Sequence, residues 1–311
     1  MSTPLLLDTD PGCDDALAIV FALEHADIDL VGLTSIFGNA PTADTTRNAR
    51  SILELFDRTD VPVAAGADEP LLVDLDTAEH IHGPGGIKGD LPEPTTATEP
   101  VSVPAAQFIV DQAREHEGEL TLAAVGRLTN VALALALEPD LPDLLDETLI
   151  MGGSAFEAGN VSPLASANFW GDPHAARRVV RDTDPTVVPL DATQHSGLPA
   201  AWIEGLARDA PRSGAVYEWA TYYSQDDLDR YGIETAAIHD VMALAGLVDD
   251  DLLEMEAHFM EVGADDGLAQ GALAVDVQGT RDEDPNGRVA LGVDADRYRE
   301  LVTDTIDRAI E

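Results

Sequence analysis

An open, mostly parallel, Rossmann-like α/β sheet with helices on both faces is the fold class this sequence predicts, and three observations carry the prediction. Short β-rich apolar runs alternate with helically spaced apolar residues almost throughout, the mark of βαβ units. A length of 311 residues exceeds the common single domain yet fits one α/β unit. No internal repeat, low-complexity tract or linker divides the chain, so residues 1–311 are expected to fold as a single α/β domain.

Thr3 to Leu7 is a short apolar run before a turn at Pro11 and Gly12, and reads as the first strand. Asp14 to Ala26 repeats its apolar residues at helical spacing and carries Asp14 and Asp15 where the positive N-terminal end of a helix favours acids. Leu30 to Ile36 is the second strand, Thr42 to Phe56 the second helix and Val61 to Ala65 the third strand. Glu69 to Pro100 is rich in Gly and Pro, which predicts a long irregular connection of the kind that carries function. The alternation resumes with a helix from Pro104 to Glu115, a strand from Leu120 to Val125, a helix from Leu128 to Leu137 and a strand from Thr148 to Met151. Gly152 to Ser166 is again irregular. A helix after Pro173, a strand from Thr186 to Leu190, and helices from Pro199 to Tyr223 and from His239 to Val248 follow. Met255 to Val262, Gly271 to Val277 and Arg288 to Gly292 are strand-like, and Tyr298 to Ile310 closes the chain as a helix.

Seventeen Lys+Arg against fifty-nine Asp+Glu leave a formal charge of −42, and Lys88 is the only lysine. Nucleic acid and anionic membranes are excluded as partners, because phosphate contacts need clustered cations. Disorder is excluded as well, since 45% of the residues are hydrophobic and they are spread along the whole chain. Self-repulsion on this scale opposes compaction in dilute buffer and is screened by salt, which predicts a halophile's salt-rich cytoplasm. The single cysteine, Cys13, has no partner for an internal disulfide, and the N-terminus lacks the basic start and apolar stretch of a signal peptide. No apolar run approaches the roughly 18 residues of a membrane helix, so a cytoplasmic protein is expected.

The strongest local signal is Asp8-Thr9-Asp10-Pro11-Gly12-Cys13-Asp14-Asp15, four carboxylates in eight residues at the carboxyl end of the first strand. Ligands bind at that edge in open α/β sheets. An acid cluster in so acidic a chain is by default a solvated loop, but an apolar strand before it and an apolar helix after it argue against that. Carboxylates this close repel one another unless a cation sits among them. Oxygen donors without His or Cys pairs point to Ca²⁺ or Mg²⁺ and away from Zn²⁺. Three further segments are unusual for strand ends: Phe37-Gly38-Asn39, Gly159-Asn160 with Ala167-Asn168-Phe169, and Ile238-His239-Asp240. Asn beside Gly is ordinarily a turn residue; together these amides and the His-Asp pair suit a polyhydroxylated ligand.

DTDPGCDDALA, TSIFGNA followed by TTRNA, VGRLTNVALAL, MGG with GNVSP and ANFWGDPHAA, and IHD together resemble the nucleoside hydrolase family, the N-ribohydrolases of the inosine-uridine-preferring group. The resemblance covers most of the chain, in order and with similar spacing. It implies calcium-dependent hydrolysis of ribonucleosides to ribose and free base, for purine or pyrimidine salvage. By the same resemblance the Ca²⁺ would be held by Asp10, Asp15, the backbone carbonyl of Val125 and Asp240, with the ribose 2′- and 3′-hydroxyls and the attacking water. Asp10 would be the general base, Asp14 and Asn168 would bind the ribose hydroxyls, and Asn39 and Asn160 would complete the sugar pocket. His239 would help protonate the departing base, with Tyr231 and His82 as further donors at the base. A homodimer or homotetramer is implied as well. A pocket lined by carboxylates fits this chemistry, because cleaving an N-glycosidic bond builds positive charge on the ribose.

The sequence departs from the family pattern at four places. Ser166 stands for a glutamate, Arg127 for the proline of G-P-L-T-N, Val241 for the proline after His-Asp, and Gly85 for an acid in the loop after His82. Arg127 and Val241 are expected to affect turn rigidity, and Ser166 and Gly85 the sugar's 5′ end and the lid over it. Two other readings compete. A nucleoside-binding protein with degraded catalysis would have no need of a general base at Asp10. A HAD-type phosphohydrolase also places Asp-x-Asp after its first strand, but needs a basic residue at the phosphoryl group, and the only lysine here lies in a loop.

Overall fold

The computed structural model describes residues 2–89, 91–231 and 235–311, with side chains at 223–231 and 235 outside the description. The strands are β1 (Thr3–Thr9), β2 (Ile28–Ser35), β3 (Val63–Ala65), β4 (Thr121–Ala124), β5 (Glu147–Met151), β6 (Thr186–Val188), β7 (Leu198–Pro199), β8 (Thr235–Ala236), β9 (Leu253–Ala257), β10 (Met260–Val262), β11 (Leu273–Val275) and β12 (Arg288–Val293). Eight of them form one sheet in the order β3-β2-β1-β4-β5-β6-β12-β9. Its pairings are parallel from β3 through β12, and only β9 runs antiparallel, against β12.

β1 lies inside the sheet, and its Leu5-Leu6-Leu7 run is apolar on both faces because helices cover both. Leu5 and Leu7 pack in the layer that holds the helices Cys13–Glu24, His239–Val248 and Ala295–Ile310. Leu6 packs in the opposite layer, with Ala105–Glu115, Thr129–Leu137 and Pro173–Asp182. The chain leaves β1 toward β2 on one side and returns to β4 on the other, which makes the carboxyl end of β1 a topological switch point.

Three elements differ from the sequence expectation. The helix expected from Pro199 to Tyr223 is two, Ala200–Gly205 and Pro211–Tyr231, because Pro211 opens a new helix at the position where a missing N–H costs nothing. The strand from Met255 to Val262 breaks after Ala257, and β10 leaves the main sheet to pair with β11. β6 stops at Val188, since Pro189 has no N–H for the ladder and a helical turn, Leu190–Thr193, begins there. Among the described residues no helix is long and apolar enough to cross a membrane.

Candidate active site

The turn from β1 into the helix Cys13–Glu24 is built around Asp15. Its Oδ1 accepts from the Thr9 hydroxyl at 2.6 Å and from the Asp10 N–H at 3.1 Å, and its Oδ2 accepts from the Gly12 N–H at 3.0 Å. An acid at the third helical position is well placed to collect these N–H groups. Asn39, just beyond β2, donates its Nδ2 to the same Oδ2 at 2.8 Å and to the Asp10 carbonyl at 3.0 Å. Glycine is required at the hinge for space: a Cβ on Gly12 would stand 2.6 Å from Asn39 Nδ2 and 2.7 Å from His82 Nδ1.

Asp14, Asp15 and Asp240 are buried, and one carboxylate oxygen from each lies within 4.8 Å of the others. Asp240 comes from the first turn of His239–Val248, whose positive end also favours an acid. Burial first, and then repulsion from Asp14, Asp15 and Asp10, hold its carboxyl well above the usual range. A carboxyl held from ionising by burial and by neighbouring acids fits a divalent cation, and an all-oxygen donor set suits a hard one.

Asp10 stands beside this trio, engaged elsewhere. Its Oδ2 accepts from the Asn39 N–H at 2.8 Å and from Arg127 Nη1 at 2.8 Å. Burial raises its pKa, Asp15 adds to the rise, and Arg127 opposes it. Here the expectation for Arg127 is corrected: beyond any effect on turn rigidity, its side chain enters the site, because Gly38 and Gly171 leave room for the guanidinium. The same Nη1 donates to Asn168 Oδ1 at 3.2 Å. Asn168 turns its Nδ2 to the carbonyls of Val125 and Met151, so the Val125 carbonyl already accepts a hydrogen bond.

Asp10, Asp14, Asp15, Asn39, His82, Val125, Asn160, Ser166, Asn168, His239 and Asp240 all line one cavity of about 210 Å³. Tyr231 ends the helix Pro211–Tyr231, and its side chain lies outside the described residues. Asp8, the fourth acid of the motif, points away from the cavity lining and accepts from Thr34 Oγ1 and Asn130 Nδ2. Ser166 is an N-cap: its Oγ accepts from the Gly153 N–H at 2.7 Å and, more weakly, from that of Phe169 at 3.5 Å. Asn160 Oδ1 accepts from the Ala167 N–H at 2.9 Å, which ties the irregular loop to the same helical turn. His239 is half-buried with Nδ1 2.7 Å from the Thr193 hydroxyl, and desolvation lowers its pKa to about 4. The sequence reading did not single out Trp170, Asp76 or His80 as cavity residues: Asp76 and His80 fall in the segment expected to be irregular, and Trp170 lies within a quoted motif with no role attached to it.

The family model of the inosine-uridine preferring nucleoside hydrolases matches residues 5–300. The chain belongs to this family. Like the family it is a nucleoside N-ribohydrolase, hydrolysing the N-glycosidic bond of ribonucleosides. It is 35% identical over 310 residues to the pyrimidine-specific ribonucleoside hydrolase RihA of Escherichia coli O1:K1, covering 98% of this chain and 99% of that one. A purine-preferring ribonucleoside hydrolase from Gardnerella vaginalis superposes with a TM-score of 0.91 at 28% identity, with 99% of each chain covered. A plant nucleoside hydrolase gives 0.90 at 30% identity over 98% of this chain and 99% of that one. The fold is thus shared with both structures over nearly the whole of this chain.

Proposed function

We propose that this hydrolase depends on calcium held by Asp10, Asp15, the Val125 carbonyl and Asp240, with Asp14 beside them and Asp10 as general base. The observation that carries the reading is the convergence of four buried acids, three within mutual ligand distance, in one cavity that also holds Asn39, Asn160, Asn168 and His239. These carboxylates would hold a divalent cation that offsets part of their charge, and the chemistry it would supply is a bound water of lowered pKa.

The chain's own groups supply the rest. Asp10 is fixed through Oδ2, which leaves Oδ1 to accept a proton from the attacking water. Asn39, Asn160, Asn168 and Asp14 offer polar groups to the ribose hydroxyls. Positive charge that grows on the ribose meets a pocket already negative, so the transition state is stabilised more than the neutral substrate. His239, neutral at pH 7 because burial lowers its pKa to about 4, presents an N–H to the departing base. His82 is a further donor at the base, and the expected role of Tyr231 rests on the family resemblance alone. Ser166 contributes a hydroxyl at the sugar's 5′ side in place of a carboxylate.

The net charge of −42 supports work in a salt-rich cytoplasm, and assembly as a homodimer or homotetramer follows the family resemblance. Residues 1–311 would act as one unit. Measuring reducing sugar released from a panel of nucleosides, after chelation and after Ca²⁺ or Zn²⁺ is returned, tests the reading. Release that stops with chelator and returns best with Ca²⁺ is expected. Full activity after exhaustive metal removal defeats the metal assignment, and ligand binding without sugar release would indicate a binding protein.

A further inference from the structure

Arg127 replaces a proline of the family pattern, directly after β4 in the segment Val125-Gly126-Arg127-Leu128. Its side chain is 5% exposed. The slot that holds it is made by two glycines: a Cβ on Gly38 would stand 2.6 Å from Nη1, and one on Gly171 would stand 2.8 Å from Nε. A guanidinium is a fixed cation in proteins. The structure therefore sets a cation at 2.8 Å from Asp10, inside a cavity lined also by Asp14, Asp15, Asp76 and Asp240. Of the two lone pairs on Asp10 Oδ2, Arg127 takes one and the Asn39 N–H the other.

A fixed cation and a divalent ion compete for the same negative field. We propose that Arg127 is an internal counter-ion of Asp10 that stabilises the metal-free site and lowers its affinity for the divalent cation. The inference rests on the metal-centre reading above. It assigns Oδ2 of Asp10 to the arginine and leaves only Oδ1 of Asp10 to the ion and its water, beside Asp15 and Asp240. Without the arginine, Asp10 would have no cation beside it until metal arrived, and the ion would be held more tightly.

The test uses the full chain stripped of metal, as wild type, Arg127→Met and Arg127→Lys. Calcium affinity is read by calorimetric titration and melting temperature with and without Ca²⁺. Arg127→Met is expected to bind Ca²⁺ roughly tenfold or more tightly, since a like charge a few ångströms away has been removed. It should also melt below wild type when metal-free and recover most of that loss when Ca²⁺ is saturating. Arg127→Lys keeps the charge and should stay within about threefold of wild-type affinity. Unchanged or weaker binding by Arg127→Met overturns the role, and so does an equal gain in Arg127→Lys. Where Arg127→Met fails to fold without metal, circular dichroism on adding Ca²⁺ decides: recovery of the folded spectrum supports the counter-ion, and its absence overturns it. No Ca²⁺ binding by any of the three proteins sinks the metal-centre reading and this inference together.

Discussion

Asp10 and Asp8 sit two residues apart on one strand end and have opposite fates. Asp10 reaches the cavity, whereas Asp8 is enclosed and bonded to Thr34 and Asn130. Replacing Asp10 with Asn keeps the shape but removes both the proton acceptor and the partner of Arg127. Turnover should fall by about a thousandfold or more, measured at saturating nucleoside and Ca²⁺; a loss under about tenfold would count against the base. For Asp8 the expected effect is on stability. Burial raises its pKa from 3.8 to about 7, so the folded state keeps a proton that the unfolded state releases. Its contribution is complete below 3.8 and is lost as pH climbs to about 7. Asp8→Asn does not titrate and still accepts both bonds through Oδ1. Its melting temperature relative to wild type should therefore rise across about pH 4 to 7 and level off above. A difference independent of pH would refute the protonated Asp8. The acids were legible in the sequence because they fall in one short segment between an apolar strand and an apolar helix. The Asp10–Arg127 pair was not, because it spans 117 residues and depends on a slot between Gly38 and Gly171 that only folding assembles.

At the scale of elements, apolar periodicity carried the prediction of the strands in the main sheet, most plainly where they are buried, whereas the edge strand β9 is largely exposed and was expected to run on into β10. What it missed were the changes of direction. A proline at 211 splits one expected helix and one at 189 ends a strand early, and both are local backbone effects that an apolar pattern does not register. The helix Cys13–Glu24 depends on a different local condition, the bare Gly12 at its start. Gly12→Ala would drive a methyl into Asn39 and His82 and disturb the amide that bonds Asp15 and the Asp10 carbonyl. Overpacking of this kind costs about 1–3 kcal/mol, so the urea midpoint should fall and Ca²⁺ affinity with it. If both stay at wild-type values, the turn is looser than these distances describe.

The whole molecule carries its charge mainly outside the site. Among the described residues most ion pairs have at least one exposed partner, as in Arg181 with Asp182 and Arg297 with Asp251, and contribute little singly. The remaining acids repel, and compaction brings them closer. Raising KCl from low to molar concentration should raise the melting temperature, since screening removes repulsion concentrated in the folded state. A flat dependence would contradict this and weaken the inference of a salt-rich cytoplasm.

The scarcity of lysine has a practical side. Lys88 is the only one, its Nζ stands 4.8 Å from the centre of the Tyr222 ring, and its carbonyl accepts from Trp219 Nε1 at 3.0 Å. Its backbone thus fastens the loop that follows His82 to the helix Pro211–Tyr231. A lysine-directed protease would find one bond in the entire chain, Lys88–Gly89. An acylating dye would find one side-chain amine, at the fastening point of the loop that follows the cavity residue His82, and its fluorescence would report on that loop as nucleoside enters.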